Sequence, residues 1–150
     1  MRVIGNVANR FDISKTGYET IFKPFQEIVM KVIWKTGEKG ITSGKAWIEA
    51  NKVLLKMGKS KSRASVIFFL QDMVAAGYLT HTMATGKGGH HRVYTPLYNE
   101  TEFKEEISKR IIEKLLETFP DETYSTMTKI MSDKSGAGKS EPQGHQGPQS

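Results

Sequence analysis

The stretch Lys59–Tyr98, KSKSRASVIFFLQDMVAAGYLTHTMATGKGGHHRVYTPLY, decides the fold. It opens with cations and hydroxyls, continues as an apolar run, stops at Gly77, and then passes through two short segments separated by a basic, glycine-rich tip. The spacing predicts a helix that starts between Ser60 and Ser62 and ends at Ala76, with Val66, Leu70, Met73 and Val74 as its core stripe and Gly77 as its left-handed cap. Tyr78–Thr82 and Arg92–Thr95 read as strands, and the intervening Met83–His91 holds the glycines that a hairpin tip needs. A helix that leads into a basic ribbon is the order of a winged helix-turn-helix.

Upstream, the pattern supports the same reading. Pro24 suits a first helical turn, and Phe25, Ile28, Val29, Val32 and Ile33 share one face of a helix ended by Thr36-Gly37. Ile41 stands alone before a cap, where a short first strand is expected. Thr42 or Ser43 then opens a second helix whose inward side is Ala46, Trp47, Ala50, Leu54 and Met57, and Gly58 stops it. Only Gly58–Ser60 is expected to separate the second and third helices, a helix-turn-helix spacing. Residues 1–20 show no sustained period and read as a loose arm, with at most a short strand.

Charge sharpens the functional reading. Across 150 residues the net charge is +6, but Ile21–Tyr98 carries twelve Lys and Arg against four acids, whereas Asn99–Ser132 carries five against eight. Positive charge is thus concentrated on the segment with the helix-turn-helix pattern, as phosphate binding requires, and the next segment repels phosphate. The absence of cysteine removes disulfides, thiolate metal sites and cysteine nucleophiles, and fits a cytoplasmic address. Arg2, Arg10 and Asp12 interrupt any apolar leader, and no run is long enough for a membrane span.

Beyond Pro96 the chain changes character. A helix from Thr101 carries Phe103, Ile107, Ile111, Ile112, Leu115, Leu116 and Phe119, an apolar face broader than the cover of one small domain needs. The expectation is that these residues form a dimer interface, with folding back onto the same subunit as the alternative. Pro120-Asp121 ends that helix, Glu122–Met131 can form a short last one, and 132–150 reads as a disordered tail. The expected division is therefore an arm at 1–20, a winged-helix domain at 21–98, a helical dimerisation segment at 99–131, and the tail.

Enzymatic signals are set aside on chemistry. Ser135–Ser140 looks like the end of a phosphate-binding loop, but Asp133 stands where that motif needs glycine, and no strand precedes it. His81, His90 and His91 lack a carboxylate to complete a metal site, and adjacent histidines on a strand point apart. Neither a catalytic set nor a cofactor fingerprint is present. The chain is read as neither an enzyme nor a binder of an identifiable small molecule.

With this order in view, Phe25–Phe119 resembles the penicillinase repressor family of winged-helix regulators. The resemblance rests on MKVIWKTGE at Met30–Glu38, SVIFFLQDMVAAGYL at Ser65–Leu79, and RVYTPLYNETEF at Arg92–Phe103. It implies a homodimer on a palindromic operator, joined through its C-terminal helices. Two departures stand out: Ile67 and Phe68 occupy positions that are usually polar or basic in the recognition helix, and Asp72 occupies one that is often basic. The cysteines of the copper-responsive relatives are missing, and no Asn-Phe pair marks the hinge at which antibiotic-responsive members are cleaved.

The expected fold is α+β and mainly helical, a winged helix-turn-helix with C-terminal dimerisation helices. The expected partner is double-stranded DNA. Lys59, Ser60, Lys61, Ser62, Arg63, Ser65 and Phe68 would meet the major groove, with Phe68 suited to a thymine methyl. Thr42, Ser43 and Lys45 would hold phosphate, and Lys87, His90, His91 and Arg92 would grip the adjacent backbone from the wing. The alternative is a winged helix that uses Ile67 and Phe68 to bind protein in a transcription or repair assembly.

Overall fold

The computed structural model describes residues 10–139. Among these, the elements run α1 (Pro24–Thr36), β1 (Ile41–Thr42), α2 (Ser43–Lys56), α3 (Arg63–Ala75), β2 (Leu79–Gly86), β3 (Gly89–Pro96), α4 (Glu100–Thr118) and α5 (Pro120–Lys139). The strands form one antiparallel sheet in the order β1-β3-β2, with Ile41 opposite Tyr94 and Leu79 opposite Pro96. This is the α+β, mainly helical winged helix expected from the sequence. Two compact units divide between Ile107 and Ser108.

The first unit is built around an aromatic cluster. Phe22 stacks on Phe103 with ring centroids 5.7 Å apart and meets Phe69 edge-on at 5.9 Å. Val29, Met30 and Ile33 of α1, Ala46 and Ala50 of α2, and Leu70 and Met73 of α3 are wholly buried around it. The small alanines let α2 approach α1 closely, while the larger α3 residues fill the space between helices and sheet. The core of α3 is therefore Val66, Phe69, Leu70 and Met73, with Val74 only half-buried.

Gly40 ties the helices to the wing. Its φ of +79° places it where glycine is favoured, and a Cβ there would lie 2.5 Å from Cγ1 of Val93. Only a residue without a side chain lets the turn after α1 lie this close to β3. That approach holds β1 in register, so that α2 starts directly beside the base of the wing.

Several boundaries differ from the sequence reading. The connection from α2 to α3 is residues 57–62, longer than Gly58–Ser60, because Ser62 rather than Ser60 caps α3. The wing is longer and its tip tighter: β2 and β3 pair out to Gly86 opposite Gly89, leaving only Lys87-Gly88 in the turn. Gly88 and Gly89 supply positive φ of 85° and 105°, so the backbone reverses in two residues and the ladder extends through Met83–His91. Asp72, which occupies a position that the family resemblance makes often basic, is 8% exposed and lies on the core side of α3.

The described part of the arm is also more ordered than expected. Asp12 donates its backbone N–H to the Thr20 carbonyl at 2.8 Å and caps a turn through Ser14, so residues 12–20 form a closed loop without a strand. Tyr18 closes it against the domain, donating its hydroxyl to Glu100 Oε2 at 2.7 Å while Lys31 donates to the same oxygen at 2.6 Å. These bonds, Lys31 first and Tyr18 second, hold the Glu100 carboxyl below its usual range. Burial, reinforced by the bond to Glu100, pushes the Tyr18 phenol well above its own. The start of α4 is thereby fixed to α1. Residues 1–9 lie outside the described residues.

In α4 the broad apolar face divides in two. Phe103 and Ile107, expected in a dimer interface, are 1% and 6% exposed and belong to the core of the first unit, because α4 begins by covering the aromatic cluster. In the second unit Ile112, Leu115 and Phe119 remain exposed, and Ile111 and Leu116 are half-buried. Pro120 opens α5, which continues to Lys139 and so replaces the expected disorder at 132–139 with helix. Once a helix is nucleated, each added residue costs little, and even the weak formers Ser132–Gly138 can extend it. Residues 140–150 of the expected tail lie outside the described residues.

Candidate nucleic-acid interface

The candidate interface residues gather where α2 and α3 both begin. Thr42 caps α2, its Oγ1 accepting the Lys45 backbone N–H at 3.2 Å. Ser62 caps α3 in the same way, accepting from the Ser65 N–H at 3.1 Å, and its Oγ lies 3.0 Å from Ser65 Oγ. Thr42, Ser62 and Ser65 thus have structural work in the caps. Their hydroxyls also stand at helix N-termini, where free amides and the helix dipole favour phosphate.

Arg63 joins these two helix starts. A Cβ added at Gly44 would lie 2.8 Å from Nη2 of Arg63 and 3.2 Å from Cζ, so the guanidinium rests against the first turn of α2. A cation at the positive end of a helix dipole is unfavourable by itself, and an anion placed between them offsets both. Sequence reading missed Gly44. Its signal was a helix-disfavouring glycine in the first turn of an otherwise well-formed helix.

The turn between α2 and α3 is held from α2. Asn51 Nδ2 donates to the Lys61 carbonyl at 3.1 Å, and Lys61 N–H donates to Asn51 Oδ1 at 3.1 Å. Trp47 Nε1 donates to the same carbonyl at 2.7 Å. Three bonds on one residue's backbone fix the direction in which Lys59–Ser62 leave α2, and therefore the angle of α3. Trp47, expected in the core, is half-buried because it reaches sideways to this turn. Lys61 lays its ammonium over the Phe25 ring at 4.9 Å.

The other expected contacts separate by position. Lys45, Lys59, Ser60 and Arg63 are exposed, and Ser43 is half-buried beside the Thr42 cap. Among the described residues Lys45, Lys59, Arg63, Lys87 and Arg92 make no ion pair, so their charge is available to a polyanion. On β3, strand alternation puts His90 and Arg92 on one face and His91 on the other. The Nε2 of His91 lies 2.9 Å from the Lys87 carbonyl, which ties this ring to the tip of the wing. On α3, Phe68 is 56% exposed while Ile67 is half-buried.

Gly44→Ala should separate stability from binding. Alanine in the first turn of α2 is a better helix former, and the crowded atom is the mobile end of a side chain, so the unfolding free energy should hold or rise by up to about 1 kcal/mol. Displacing Arg63 should nonetheless weaken DNA binding roughly tenfold, the scale of one charge-assisted hydrogen bond. Parallel thermal melts and DNA titrations would check this, and unchanged affinity would remove Arg63 from the interface.

No helix among the described residues is long and apolar enough to cross a membrane. Comparison with curated proteins and with solved structures gave no match. The model of the penicillinase repressor family does match, over residues 24–137, from the start of α1 into α5, and the chain belongs to this family of DNA-binding transcriptional repressors.

Proposed function

We propose that the protein is a cytoplasmic, sequence-specific repressor that binds a palindromic operator as a homodimer. The observation that carries this reading is the meeting of Arg63 with the first turn of α2, which sets the start of α3 beside the turn that Thr42 caps through the Lys45 N–H. The first residues of α3 would enter the major groove, the α2 start would hold backbone phosphate, and Lys87 with the His90 and Arg92 face of the wing would follow the neighbouring strand. Binding represses by occupying the operator, which needs no catalysis and no cofactor.

Salt dependence tests the phosphate contacts. With Lys45, Lys59, Lys61, Arg63, Lys87 and Arg92 engaged, log affinity against log salt should fall with a slope of up to about −5 per subunit. A slope near zero would defeat the reading. A second use of the domain is favoured by one observation, the exposure of Phe68. If Phe68 meets a thymine methyl, Phe68→Ala should lower affinity for operator fragments by about 1 kcal/mol and relax preference at one base pair. Operator binding that ignores the change would assign Phe68 to a protein partner.

A further inference from the structure

Between α1 and α2 lies a groove of about 780 Å3, a volume typical of small-molecule sites. Its floor is apolar: Ile28 and Val32 come from one face of α1, Ile41 from β1 and Val53 from α2. Val53 is 42% exposed, an unusual position for a β-branched apolar side chain with a neighbouring helix available to cover it. The rim is cationic. Lys35, Lys39 and Lys45 line it and make no ion pair among the described residues.

The other charged groups at the groove are mostly spent. Lys31 is held by Glu100 at 2.6 Å, and Glu49 by Lys52 at 3.0 Å. Three lysines therefore face Glu27 alone, and the groove retains positive charge above an apolar floor. A DNA phosphate satisfies such a rim but has nothing to place on the floor. A neutral apolar molecule satisfies only the floor. The complementary ligand has an apolar body and one anionic end.

We propose that this groove binds an amphipathic carboxylate of the medium-chain fatty-acid type, and that its occupation withdraws Lys45 from DNA. The second half rests on the operator-binding reading above, in which Lys45 holds phosphate from the first turn of α2. Ligand and operator then compete for one ammonium group. By linkage, each lowers the affinity of the other by the same factor.

Decanoate is a suitable probe, with inorganic phosphate and decyltrimethylammonium as controls, titrated calorimetrically into the full chain without DNA. One decanoate should bind per chain, and neither control should compete with it. Val53→Glu places a carboxylate on the floor at an exposed site and should abolish decanoate binding, while Lys35→Gln should weaken it several-fold. In a separate titration, saturating decanoate should raise the apparent Kd for DNA roughly tenfold in the wild type and leave Val53→Glu unaffected. Absence of decanoate binding, equal binding of either control, or undiminished binding by Val53→Glu would overturn the assignment. Decanoate binding without an effect on DNA affinity would overturn the competition. If the wild type fails to bind DNA at all, the repressor reading falls, and the calorimetric arm still decides the groove. A Val53→Glu chain that sediments as a smaller species than wild type would mark the groove as a subunit contact and also overturn the proposal.

Discussion

Phe103→Ala should lower the unfolding free energy of the winged-helix unit by about 3–5 kcal/mol, the range for removing a fully buried aromatic ring. The ring is 1% exposed and is enclosed by three others: Phe22 stacked at 5.7 Å, Tyr78 edge-on at 5.0 Å, and Trp34 at 5.3 Å. These neighbours come from the segment before α1, from α1 itself and from the residue before β2. No single element can move to fill the space, so the cavity should persist. A domain of this size is stabilised by only about 5–15 kcal/mol, and the loss would consume a large part of it. Urea titration followed by tryptophan fluorescence should show the midpoint falling by on the order of 2 M. A loss below about 1 kcal/mol would mean that the start of α4 is an appendage rather than part of the core.

Phe103 also shows where periodicity stops being informative. The spacing of Phe103, Ile107, Ile111, Leu115 and Phe119 announces an amphipathic helix, and the helix is there. Periodicity specifies that a face is buried but not what buries it. Phe103 and Ile107 are covered by a core assembled from residues as distant as Phe22, while Ile112, Leu115 and Phe119 remain exposed within the chain. The helix-turn-helix and wing were legible for a different reason: glycines, caps and basic tips are local signals that act over a few residues. Gly77 could be read directly as a cap, and Thr42 and Ser62 are among the neighbouring hydroxyls that could serve as one.

What escaped the sequence reading depended on contacts between elements. Gly44 has meaning only once Arg63 is folded against it, and Asn51 only once Lys61 is ten residues further along and beside it again. The outer face of α3 is a related case. It carries apolar residues on both sides, so a pattern search cannot rank Phe68 against Phe69. Phe69 enters the aromatic core beside Phe25 at 6.1 Å, and Phe68 stays 56% exposed.

Ile112→Glu combined with Leu115→Glu should convert the protein to monomers and reduce operator affinity by roughly 10²–10⁴-fold. In one chain these side chains are 39% and 44% exposed, and with Phe119, 56% exposed, they form a stripe at i, i+3 and i+7. Tyr124, Ile130 and Met131 of α5 add further exposed apolar surface to the same unit. A soluble monomer gains nothing from such a concentration of apolar groups, whereas a second copy removes them from water at about 25 cal/mol per Å2. Glutamates at 112 and 115 would cost a monomer little, since both positions are already in water, but would bring desolvated like charges into a symmetric contact. The loss on DNA is larger than either contact by itself, because joined subunits bind the second half-site intramolecularly and separate ones do not. Sedimentation at several concentrations would establish the oligomeric state, and titration against one-half-site and two-half-site fragments would divide the effect. Single half-site binding should be unchanged in the variant while the gain from the second half-site disappears. A variant that remains dimeric would move the interface away from α4, and one that is monomeric yet binds the full operator as tightly would show that two winged helices read it independently.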